Sequence, residues 1–281
     1  MTEAYKIVDG IKCYAPELAF SNNDFQAESF DVLYKLENRN FWYISRNKII
    51  RHFFEKYVGK DVRASVLEIG CGTGYVLSGL SSFANYKLMG AEIYLEGLKY
   101  AQKRLPGVEF IQLDATVMSF QDEFDTIGAF DVLEHIAEDE KVMKNVFRSL
   151  KQGGYFFVTV PQYMFMWSVL DDIDRHKRRY SKRELHSKLR KNGFEIIYSS
   201  SFVFTLFPLM VISRLFKKRK LGADVKLNKE MALSGYDLPP LVNSIFKMFM
   251  LIDLFLIRAG VSLPFGGSLI AVAKKVQAIT G

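Results

Sequence analysis

The segment Val66-Leu67-Glu68-Ile69-Gly70-Cys71-Gly72-Thr73-Gly74-Tyr75 gathers residue types that could do chemistry. An apolar run ends in glycines at alternate positions, and a helical stretch follows. Glycine is needed where the main chain turns sharply and where a ligand must touch it with no Cβ in the way. In an open α/β sheet such a loop sits at the carboxyl end of a strand, at the switch point where ligands bind. A dinucleotide fingerprint, Gly-x-Gly-x-x-Gly, would put its third glycine at position 75, where Tyr75 stands. Glu92 closes the next apolar strand about twenty residues on, where a carboxylate can accept two ribose hydroxyls.

The spacing Glu68, Gly70, Gly72, Gly74 resembles the first motif of class I methyltransferases that use S-adenosylmethionine (SAM). Further motifs follow in the family's order. Glu92-Ile93 ends the second strand, and Leu113-Asp114-Ala115 matches the family's adenine-binding position. The stretch from Phe124 through Phe130 to Ile136 resembles the fourth-strand motif of its quinone-type and small-molecule branch, and Leu150 to Gly154 resembles the turn before the fifth strand. The resemblance implies a cofactor site made of Glu68, Gly70, Cys71, Gly72, Gly74, Glu92, Ile93, Asp114, Ala115 and Phe130. It implies SAM as methyl donor and S-adenosylhomocysteine (SAH) as product. Each residue also has a plain reading: Glu92 as a solvated strand end, Asp114 as a helix cap.

Two stretches outside this core resemble a narrower bacterial group of methyltransferases. One is Asn40-Phe41-Trp42-Tyr43-Ile44-Ser45-Arg46. The other runs from Trp167 through His176 and Arg178-Arg179-Tyr180 to Ser181. A leader helix could fold over the open end of the pocket, with Trp42 beside the sulfonium and Arg46 on the methionine carboxylate, a pairing that suits a guanidinium. Core packing for Trp42 and a surface charge for Arg46 is the other reading. Trp167, Arg178, Arg179 and Tyr180 would border the acceptor pocket, where cations suit a phosphate or carboxylate. The alternative is a solvated charge run. Methyl transfer is an in-line displacement that mainly requires alignment and exclusion of water. If the acceptor is a hydroxyl, a base helps, and His135 and His176 are the candidates. His135 could equally support its loop.

Around these residues the chain changes texture. Residues 1–63 form a leader that begins polar and irregular, then turns helical, with apolar residues at three- and four-residue steps. Residues 64–201 alternate short apolar strands with helices, which implies right-handed βαβ units. Residues 202–264 form a hydrophobic and basic insertion, and 265–281 hold the last strand and tail. The expected fold is a Rossmann-like α/β domain. Its mostly parallel seven-stranded sheet carries helices on both faces, a helical lid before the first strand and a helical insertion before the last.

The 281 residues are 49% hydrophobic and 25% charged, a globular composition. No charged and then apolar segment suggests a secretory signal, and Cys13 and Cys71 read as reduced thiols, so a cytoplasmic location is expected. The histidines and cysteines do not cluster at ligand spacing, and no metal is expected. A formal charge of +7 favours acidic partners without naming one. In the insertion, the apolar run 202–216 adjoins Lys217-Lys218-Arg219-Lys220. It is short for a membrane span, and the run 241–257 is interrupted by Asn243, Lys247 and Asp253. An apolar helix beside a basic cluster fits a segment lying in lipid headgroups on the inner membrane face. A pocket cap and a homodimer contact are the other readings. No RNA-binding module is present, and no nucleic-acid partner is expected. The expectation is thus a SAM-dependent methyltransferase acting on a small-molecule or lipid-linked acceptor, at oxygen. The alternative is a non-catalytic, membrane-associated SAM-binding partner or sensor.

Overall fold

The computed structural model describes residues 5–21, 27–217 and 238–276. Nine strands form one mixed sheet among them: β1 (Lys6–Val8), β2 (Ile11–Cys13), β3 (Ala64–Ile69), β4 (Tyr86–Glu92), β5 (Glu109–Gln112), β6 (Phe124–Phe130), β7 (Leu150–Pro161), β8 (Phe194–Phe202) and β9 (Ser268–Lys275). Their order is β1-β2-β5-β4-β3-β6-β7-β9-β8. Strands β5, β4, β3, β6 and β7 run parallel, while β9 lies antiparallel between β7 and β8. Chain order reverses on either side of β3, so the loop after β3 opens at the switch point.

The helices are α1 (Pro16–Ser21), α2 (Ala27–Leu36), α3 (Phe41–Tyr57), α4 (Tyr75–Leu80), α5 (Leu95–Arg104), α6 (Asp139–Ser149), α7 (Val169–Ile173), α8 (Lys182–Lys191), α9 (Phe207–Lys217) and α10 (Pro240–Arg258). Side chains along a strand alternate between sheet faces. Val66 therefore joins a core with Ile50, Phe54, Leu77 and Leu98 from α3, α4 and α5, while Leu67 joins Val142, Val146, Leu185 and Leu189 from α6 and α8. A sheet buried on both faces explains why its strands read as unbroken apolar runs.

The seven-stranded expectation is corrected to nine. The two extra strands come from the start of the leader, expected to be irregular. Asp9 and Gly10 both adopt positive φ, 52° and 79°, which makes a tight hairpin turn. The hairpin then adds to the sheet edge, with β2 parallel to β5. Asp-Gly between Ile7-Val8 and Ile11 was the available signal.

The insertion is also revised. The run interrupted by Asn243, Lys247 and Asp253 folds as a continuous 19-residue helix, α10. Among the described residues it is the one helix long and apolar enough to cross a membrane by length and composition. Two of its polar residues are used inside the protein. Asp253 is fully buried and accepts hydrogen bonds from the main-chain N–H of Phe204 (2.6 Å) and Thr205 (3.1 Å). Asn243 accepts from Phe41 N–H at 2.8 Å and donates to Arg39 O at 2.8 Å, which ties α10 to the start of α3. Lys218-Arg219-Lys220 of the basic cluster lie outside the described residues.

Candidate active site

The glycine loop is held by its neighbours. Gly70, Gly72 and Gly74 have φ of 65°, 51° and 74°, a region in which a side chain is strained. A Cβ on Gly70 would come within 2.4 Å of Val132, so the loops after β3 and β6 must touch there. At Gly72 nothing lies within 4 Å of that position, leaving the backbone open to a ligand. Cys71 donates its N–H to Ala91 O, and burial pushes its thiol well above the ordinary range.

Glu92 reaches this open backbone. One carboxylate oxygen accepts from Gly72 N–H at 3.0 Å, and the other accepts from Ile93 and Tyr94 N–H at 2.7 and 3.2 Å. Burial raises its pKa, opposed by those three bonds. Ile93 offers its carbonyl to Gln112, and Asp114 accepts from Thr116 N–H at 2.8 Å. Ala115 is buried, its carbonyl held by Asn145. The Phe130 side chain packs in the core beside Phe54, over Gly128. Glu68 is buried on β3 with one carboxylate oxygen lacking a hydrogen-bond partner. Burial lifts its pKa to about 8, against the pull of Arg46.

Helix α3 lays the leader signature beside the end of β6. The Arg46 guanidinium lies 4.6 Å from the Trp42 ring and pairs with Asp131, the first residue after β6. Asp131 also accepts from Thr159 Oγ1 at 3.0 Å. Elsewhere in the leader, Glu37 clamps the glycine loop. It accepts from Thr73 Oγ1 at 2.5 Å and pairs at 2.9 Å with Arg104, which also donates to Thr73 O.

The segment after β7 is organised by Asp171, which is fully buried. Its carboxylate takes two bonds from Arg179 (2.6 and 3.0 Å), one from His176 Nδ1 (2.9 Å) and one from Ser168 N–H (2.8 Å). Burial opposes its charge, but the bonds from His176 and Arg179 win and hold its pKa well below the usual range. Arg178 pairs with Asp139 at 2.7 Å, and the buried Tyr180 hydroxyl donates to Asp139 at 2.6 Å. Arg178, Arg179 and Tyr180 are thus engaged with carboxylates of this chain, and Trp167 donates its indole N–H to Asp172 at 2.9 Å. Ser181 caps α8 by accepting from Glu184 N–H.

The two candidate histidines meet, their rings 4.7 Å apart and edge-on. Burial, then His176, lowers the His135 pKa to about 4. Glu134, fully buried, has no hydrogen-bond partner on either oxygen, and burial followed by the charge of Asp131 pushes its pKa far up. Sequence reasoning placed neither Asp131, Glu134 nor Asp171 in the site. Buried carboxylates after two different strands leave no periodic signal, although Asp131 and Glu134 lie inside the fourth-strand motif. The spacing of histidines and cysteines along the chain led to no metal being expected, but the fold brings two of the histidines together with a carboxylate. The ligand atoms of Glu134, His135 and His176 all lie within 4.8 Å of one another.

Residues 41–199 match a family model described as a methyltransferase domain. The chain belongs to this methyltransferase family. A Mycolicibacterium smegmatis protein named as a probable SAM-dependent methyltransferase is 25% identical over 164 residues, covering 57% of this chain and 62% of that protein. An uncharacterized protein of Methanocaldococcus jannaschii is 28% identical over 232 residues, covering 71% and 82%. Among solved structures, Haemonchus contortus phosphoethanolamine N-methyltransferase 2 in complex with SAM shares the fold, with a TM-score of 0.58 and 16% identity over 91% of this chain and 59% of that one. For a methyltransferase of this kind the cofactor is SAM, and the open backbone at Gly72 beside Glu92 fits a nucleoside.

Proposed function

We propose that the protein transfers the methyl group of SAM to a small-molecule or lipid-linked acceptor, at oxygen. The observation that carries this reading is the pairing of the open Gly72 backbone with the Glu92 carboxylate at the switch point. A ribose binding there takes over the carboxylate, and the rest of the cofactor points its sulfonium toward the ends of β6 and β7. Trp42 and Arg46 close that side from α3. The acceptor then enters beside Glu134, His135 and His176, and the protein's work is alignment and exclusion of water.

A lipid-linked acceptor is supported by the outer surface of the insertion. Leu241, Met248 and Phe255 of α10 are exposed at 73%, 58% and 69%, and Leu209, Ile212 and Leu215 of α9 are exposed as well. Such a surface suits peripheral attachment to the inner membrane face. Sedimentation with anionic vesicles should retain the wild type and release a Met248→Glu/Phe255→Glu variant. Equal sedimentation of both would remove the membrane part of the reading.

The central test is calorimetric titration with SAM and SAH, using wild type and Gly72→Arg. Micromolar binding lost in the variant is expected, followed by methyl transfer to a component of lipid or small-molecule extracts. Absence of binding by folded wild type would overturn the reading. Binding without transfer to any acceptor would point to a SAM-binding sensor.

A further inference from the structure

We infer that Glu134, His135 and His176 form a binding site for one divalent first-row metal ion, on which the acceptor oxygen is held for methylation. The inference rests on the methyl-transfer reading for its role, but the site itself stands on geometry.

The three ligand atoms come from two segments far apart in sequence, the turn after β6 and the loop after β7, and lie within 4.8 Å of one another. Ligands at about 2.1 Å from a tetrahedral ion are about 3.4 Å apart, so small side-chain rotations suffice. One carboxylate with two imidazoles suits zinc, iron or manganese better than magnesium or calcium. The decisive feature is Glu134. It is fully buried, and neither oxygen has a partner. A buried carboxyl left this way is costly unless a ligand completes it.

The surroundings have the form of a metal shell. A histidine ligand usually gives its other ring N–H to a carbonyl or carboxylate. His176 presents Nδ1 to Asp171 at 2.9 Å, and His135 is bonded to the main-chain carbonyl of Asp174. Each ring thus has one nitrogen fixed and the other available. Arg46 is matched by Asp131 and Arg179 by Asp171.

An acceptor hydroxyl binding the ion would lose its proton to solvent more readily. Its oxygen then forms the O–CH₃ bond as the S–CH₃ bond breaks. The bonding pair stays on sulfur, and SAM becomes the neutral thioether SAH.

The test uses Co²⁺ as a coloured probe of metal-free full-length protein, with Zn²⁺ as competitor. Wild type should bind one Co²⁺ per chain with visible d–d absorption that Zn²⁺ abolishes. Glu134→Gln and His176→Asn should each weaken binding by more than about tenfold, since even outer-shell losses cost that much. SAH titration and the melting temperature of each metal-free variant report whether it is folded. No stoichiometric Co²⁺ binding by wild type, or equal binding by the folded variants, overturns the site. SAH binding is measured separately, so loss of the methyl-transfer reading and loss of the metal site are distinct results.

Discussion

Replacing Glu68 by Gln should make the protein more stable at neutral pH. The Glu68 carboxyl is buried, one oxygen has no partner, and its pKa is raised from 4.5 to about 8. A raised folded-state pKa means that the native protein holds this proton while the unfolded chain releases it. The associated stability is therefore complete below pH 4.5 and declines as pH rises, until the native group ionises near pH 8. At 1.36 kcal/mol per unit, the loss accumulated by pH 7 is about 3 kcal/mol. Gln keeps the shape and cannot ionise, so the variant should unfold with a flatter pH dependence. Its advantage should approach that figure at pH 7 and fall toward zero near pH 5. Urea denaturation at pH 5, 6, 7 and 8 measures both slopes, and their difference reports Glu68 together with its coupling to Glu37 and Glu92. Parallel profiles, or a variant less stable at pH 8, would refute the assignment of an unsatisfied buried carboxyl at this position.

Asp171→Ala strands the buried Arg179 guanidinium, and a loss of about 3–5 kcal/mol is expected in the same denaturation assay. Loss of a few tenths would show that the bidentate pair is not formed. Asp253→Ala leaves the Phe204 and Thr205 N–H groups without their carboxylate and should cost about 1–3 kcal/mol for each that stays buried. Faster hydrogen exchange confined to those amides and the start of α9 would mark the site of damage, and unchanged exchange would argue against the bond.

The parts of the fold set by local rules were legible in the sequence. Helices Leu95–Arg104 and Lys182–Lys191 follow their apolar period, and the strands leading to the glycine loop, Glu92 and Asp131 read as buried runs bounded by turns. The β1–β2 hairpin was legible in principle through Asp9-Gly10, but three-residue strands are too short to show an alternating pattern. What sequence could not give was the destination of charge. Arg178 and Arg179 look like a pair of free cations in the chain, yet each meets a carboxylate from elsewhere, Asp139 or Asp171. Asp253 looks like an interruption in an apolar helix because its partners lie 48 and 49 residues away. Glu134 was visible within a motif, while its isolation from any donor is a property of three packed segments.

The strand order also fixes when the sheet can be finished. β2 pairs with β5, and the Gln112 side chain brackets Ala15 across 97 residues of intervening chain. At synthesis rates of about 5–20 residues per second, the leader hairpin waits about 5–20 seconds for its neighbour. β8 waits as well, because its one neighbour in the sheet, β9, is translated after the whole insertion. During that interval β7 and β8 present unpaired edges, and the apolar helices of the insertion have already emerged. A nascent chain in this state is the form most exposed to aggregation or capture by a chaperone, and slowing translation just before residue 268 would prolong it.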